Sequence, residues 1–72
     1  MATEVYSPMI GKVVELLLKP GDAVEEDEPV LILEALKMKM PVVAPVTGKL
    51  EKYCVKEGQD VESDTVLAII AE

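Results

Sequence analysis

The chain has 72 residues, half of them hydrophobic, with fourteen Asp and Glu against seven Lys and neither Arg nor His, giving a net charge of −7. That length allows one small domain with one core and no enzyme-sized cleft with a separate lid, and the acidity argues against binding nucleic-acid phosphates. The absence of His removes imidazole ligands and bases, the single Cys54 cannot form an internal disulfide, and no apolar run approaches the roughly 18 residues of a membrane-inserted span.

From the N-terminus, Met1-Ala2-Thr3-Glu4 does not read as a signal peptide, and a reduced, cytoplasmic setting is expected. Gly11 follows Pro8 and suits a bend or a bulge. Val13 to Leu18, interrupted only by Glu15, reads as a strand. Lys19-Pro20-Gly21-Asp22 has Pro and Gly where a type II turn needs them. The acidic Glu25-Glu26-Asp27-Glu28 is expected to be a solvated loop. Pro29 opens a second strand, Val30-Leu31-Ile32-Leu33, whose unbroken apolarity predicts burial on both faces. With no Trp or Phe in the chain, the core must be built from Val, Leu, Ile and Ala.

A shift of 37 residues superposes residues 5–35 on 42–72 with ten identities in 31 positions, among them Pro8/Pro45, Gly11/Gly48, Lys12/Lys49, Gly21/Gly58 and Asp27/Asp64. Two copies of one β unit, each too small to close a core, should pack about a pseudo-two-fold axis. The expected fold is all-β: a flattened β-barrel or sandwich of two antiparallel four-stranded sheets, formed by residues 1–72 as a single domain. A helix over 30–40 is the competing reading, but Pro29 and Pro41 leave it little length.

Between the repeats lies Glu34-Ala35-Leu36-Lys37-Met38-Lys39-Met40, expected to be a tight hairpin. With Leu36-Lys37 as the turn, Ala35 faces Met38 and Glu34 faces Lys39, an opposite-charge pair. With Met38-Lys39 as the turn, no such pair forms. The first register is preferred and puts Lys37 at the tip. A two-residue hairpin turn normally uses Gly or Asn, so Leu and Lys there imply local strain. Pro41 is compatible with a strand only where its missing N–H faces an edge or solvent.

Glu34-Ala35-Leu36-Lys37-Met38 resembles the Glu-Ala-Met-Lys-Met attachment motif of the biotinyl domains, the biotin carboxyl carrier family. Ala44-Pro45 and Gly48 lie at the family's spacing from Lys37 but not from Lys39. The resemblance extends from Ser7-Pro8 to the last strand. It implies that a biotin protein ligase joins biotin covalently to Lys37, with Glu34, Ala35, Leu36 and Met38 in ligase recognition. It further implies a non-catalytic carrier that moves CO2 between a biotin carboxylase site and a carboxyltransferase site. Leu36 stands where Met is usual, and Asp27 and Asp64 where Gly is frequent.

Each reading has a plainer counterpart. Lys37 alone would be a solvated lysine, Met38 a core filler, Glu34 only the partner of Lys39, and Cys54 a small packed hydrophobe. A lipoyl carrier resembles Asp-Lys-Ala at its tip, unlike Leu36-Lys37-Met38, and is the first alternative. An unmodified β interaction module is the other.

Overall fold

A computed structural model describes all 72 residues. Eight strands form, and no helix: β1 (Ala2–Tyr6), β2 (Gly11–Leu16), β3 (Ala23–Val24), β4 (Pro29–Ala35), β5 (Met38–Val43), β6 (Gly48–Tyr53), β7 (Asp60–Val61) and β8 (Val66–Ala71). They make two four-stranded antiparallel sheets, ordered β1-β8-β6-β3 and β5-β4-β2-β7. The 37-residue shift pairs β1 with β5, β2 with β6, β3 with β7 and β4 with β8, and this exchange turns one sheet order into the other. The ladders stay within each sheet, so the molecule is a sandwich and not a closed barrel.

The repeat extends to the turns. Gly21 and Gly58 have φ of 97° and 86°, and each turn closes by a backbone bond, Asp22 N to Lys19 O at 3.0 Å and Gln59 N to Lys56 O at 3.1 Å. With Pro20 ahead of Gly21, the first is the type II turn its composition predicts. Asp27 and Asp64 take φ of 71° and 67°, which Asp tolerates better than most residues. Their N–H groups donate across the molecule to the carbonyls of Ala44 and Ser7, at 2.8 and 2.9 Å.

Strands β4 and β8 run inside their sheets and supply much of the core, with Val30, Leu31, Leu33, Leu67, Ala68 and Ile70 fully buried. The core is aliphatic throughout, as composition requires. Ile32 is only partly buried, so the apolar run of β4 is not covered on both faces along its whole length. The acidic loop is exposed at Glu25, Glu26 and Asp27.

Three expectations need correction. The strand expected over Val13–Leu18 is β2, Gly11–Leu16, because the chain is drawn off by partners distant in sequence. Leu16 N donates to the Glu57 carboxylate at 3.0 Å and Leu18 N to the Tyr53 hydroxyl at 3.0 Å. The bulge falls between Val13 and Glu15, repeated between Leu50 and Lys52, while the bend precedes Gly11 at residues 8–10. Cys54 is exposed, as is its repeat counterpart Leu17, since both lie just beyond a strand end.

Candidate functional site

The hairpin between β4 and β5 has the register that places Glu34 opposite Lys39 and Ala35 opposite Met38, leaving Leu36 and Lys37 as a two-residue turn. Both turn residues are left-handed, with φ of 53° and 65°. This is the type I′ pattern, which matches the twist of the flanking strands at a cost for non-glycine residues. Pairs in such a hairpin alternate from the hydrogen-bonded pair next to the turn. Ile32–Pro41 is therefore a non-hydrogen-bonded pair, and the N–H that Pro41 lacks would have pointed off the sheet. Because β5 is the edge strand, Pro41 breaks no ladder bond and blunts that edge.

The tip is held from below and left open above. Ala35 is buried, and Gly11 of the neighbouring β2 lets the strands close up: a Cβ there would lie 2.6 Å from the Glu34 carbonyl oxygen. The same relation recurs between Gly48 and the Ala71 carbonyl. Above this base Lys37 is exposed, and so are the apolar side chains on either side of it, Leu36 at 83% and Met38 at 68%. Glu34 and Lys39 are also exposed, whereas Met40 packs on the core. Lys39 is a strand residue beside the tip, as the register argument expects.

Beside the turn lies an open groove of about 730 Å³, with Ile10, Gly11 and Lys12 on one side, Glu34 to Lys37 on another, and Asp60 to Glu62 of β7 and its following loop on the third. Ile10, Lys12 and Asp60 were not singled out as site residues by the sequence. The available signal was where the repeat fails: Ile10 aligns with Thr47, Glu34 with Ala71 and Asp60 with Ala23. No group of His, Cys, Asp or Glu is arranged to hold a metal ion. Chemically, the tip offers a primary amine on a rigid turn between two exposed apolar side chains.

Known proteins share both sequence and fold with this chain. A family model described as "Biotin-requiring enzyme" matches residues 3–70. The biotin carboxyl carrier protein of acetyl-CoA carboxylase from Solanum lycopersicum is 50% identical over 40 residues, covering 56% of this chain and 57% of that protein. A biotin carboxyl carrier protein from Streptococcus mutans is 42% identical over 43 residues, covering 60% of this chain and 33% of that one. The matched stretch thus spans well under two thirds of either relative. The crystal structure of Kluyveromyces lactis urea carboxylase contains the same fold, with a TM-score of 0.94 and 35% identity over 99% of this chain and 6% of that enzyme. With its fold, its sequence and nearly its whole length accounted for by these matches, the chain belongs to the biotin-requiring (biotin/lipoyl attachment) family.

Proposed function

We propose that the chain is a biotin carboxyl carrier and that Lys37 is its attachment residue, joined to biotin as an amide by a biotin protein ligase. The observation that carries this is the tip itself: Lys37 stands second in a strained two-residue turn with Leu36 and Met38 exposed on either side. The residues fit the group. The amine is exposed, no neighbouring element covers it, and the turn is braced by buried Ala35 and the close approach at Gly11.

Bound biotin supplies a ureido nitrogen that takes up and gives up a carboxyl group. The chain's own part is presentation. A lysine side chain with its acyl extension reaches on the order of 10–15 Å from the backbone. Tethering at that length keeps its end at roughly millimolar effective concentration near any site the tip can face. The partners this implies are a biotin carboxylase site and a carboxyltransferase site, with Glu34, Leu36 and Met38 read by the ligase and Ala35, which is buried, contributing to recognition by holding the turn in shape. The names of the relatives, an acetyl-CoA carboxylase carrier and a urea carboxylase, support that placement. The carrier itself performs no catalysis in this reading.

Incubation with biotin, ATP and a biotin protein ligase, followed by peptide mass mapping, tests the proposal. Label is expected on Lys37, lost in Lys37→Arg and kept in Lys39→Arg. Label on Lys39, lipoate in place of biotin after coexpression with both ligases, or no label at all would overturn it, the last favouring an unmodified interaction module.

A further inference from the structure

The groove beside Lys37 occurs at only one of two places the internal repeat could have built it. Across the sheet that carries the hairpin, the register sets Lys39, Glu34, Lys12 and Asp60 side by side on β5, β4, β2 and β7. In the other sheet the equivalent row is Ala2, Ala71, Lys49 and Ala23. The lysine on β2 and its glycine neighbour have counterparts on β6, while both acidic residues are replaced by alanine. Ile10 departs in the same way. Its counterpart Thr47 accepts a hydrogen bond from Glu26 N at 2.9 Å, whereas Ile10 is 69% exposed at the rim of the groove.

These differences all sit beside the tip lysine, and together they describe a ligand. Carboxylates only accept hydrogen bonds and an ammonium only donates them. A cyclic urea offers two N–H donors and one carbonyl acceptor, which complements Asp60 and Glu62 on one hand and Lys12 on the other. Its fused thioether ring and acyl chain match the apolar side chains of Ile10 and Leu36. Distance agrees as well. Strand β7 lies two places from β4, about 10 Å at the usual inter-strand spacing, which is within the reach of an acylated lysine at the turn.

We infer that this groove is a docking site for the ring of the biotin carried on Lys37, with the ureido group between Lys12 and the carboxylates of Asp60 and Glu62 and the thioether ring against Ile10. The inference rests on Lys37 being the attachment residue. The groove is open and its polar groups are exposed, so docking is reversible: the ring rests there and leaves when a partner site competes for it.

The test compares the unmodified chain with the same chain biotinylated by ligase, its label first mapped to Lys37 by mass spectrometry. Backbone-amide and methyl NMR spectra are expected to change at Ile10, Gly11, Lys12 and Asp60–Glu62, with nuclear Overhauser contacts from the thioether-ring protons to the Ile10 side chain. In biotinylated Ile10→Ser and Asp60→Ala chains the remote changes should be lost while those at 35–39 remain; both positions are exposed, and dispersed spectra would verify folding. Changes confined to 35–39 in a chain labelled on Lys37 overturn the docking site and leave the attachment residue standing. Failure to label Lys37 overturns the attachment residue and the docking site with it.

Discussion

Gly11 stands so close to Glu34 that a Cβ on it would lie 2.6 Å from the Glu34 carbonyl oxygen, with the Leu33 and Ala35 side chains within 3.3 Å. The obstacle is backbone of the strand that leads into the hairpin, which cannot swing aside as a side chain could. Gly11→Ala should therefore push β2 from β4 and cost about 1–3 kcal/mol, read as a lower urea midpoint. Ligase modification of Lys37 should slow as well, because the tip loses its brace. An unchanged midpoint would mean the two strands can separate freely.

Leu36 holds a left-handed φ of 53°, which strains a side chain with a Cβ and would not strain glycine. Leu36→Gly should stabilise the chain by up to about 1 kcal/mol, the relief of left-handed strain offset by the greater freedom of glycine when unfolded. The same substitution should slow ligase modification, since it deletes an exposed apolar side chain next to Lys37. Urea unfolding and ligase rates measured on one preparation separate the two effects. A variant both more stable and modified at least as fast would show that Leu36 serves neither recognition nor presentation.

What the sequence disclosed and what it hid divide along range. The left-handed position at Gly21, carried to Gly58 by the repeat, and the Glu34–Lys39 register each depend on residues near one another in the chain, and all are as expected. The end of β2 was hidden because it is set by Tyr53 and Glu57, which lie 35 and 41 residues from the groups they bind. Cys54 looked like core by alignment with Leu17, yet the strands end before both, and a type-based reading cannot see that. Gly11 was legible as a glycine but not for its reason, a neighbouring carbonyl in place of a bend. The groove was hidden in the differences between the repeats, whereas the similarities drew the attention.

Tyr53, on β6, ties β4 of the opposite sheet to the segment that follows β2. Its hydroxyl donates to Val30 O at 2.6 Å and accepts from Leu18 N at 3.0 Å. Tyr53→Phe leaves Leu18 N without that partner, while Val30 O keeps its bond from Leu17 N at 3.1 Å, and should cost about 1–3 kcal/mol. Burial, the largest influence, raises the phenol pKa above its ordinary 10.0, although hydrogen bonds from the Leu18 and Leu17 backbone lower it. The native state thus holds the proton that the unfolded chain releases near pH 10, so stability from this group is full below that pH and falls above it. Tyr6, raised by its hydrogen bond to Glu4, acts in the same sense. Unfolding free energies across this range should decline less steeply in Tyr53→Phe than in the parent chain.

Glu34 has a lysine on each side, Lys39 across the hairpin and Lys12 on β2, whereas Lys39 lies on the edge strand with Glu34 as its one cross-strand neighbour. Reversing either charge creates like-charge pairs, each costing roughly 0.2–1 kcal/mol on an exposed face. Glu34→Lys sets two such pairs and should destabilise more than Lys39→Glu, which sets one. The double exchange restores attraction across the hairpin but leaves the lysine introduced on β4 facing Lys12, so it should recover only part of the loss. A double-mutant cycle at low salt measures the Glu34–Lys39 coupling directly, and the coupling should shrink as added salt screens the exposed charges. Equal costs for the two single reversals would show that Lys12 is electrostatically silent at Glu34, and would weaken its assignment to the groove.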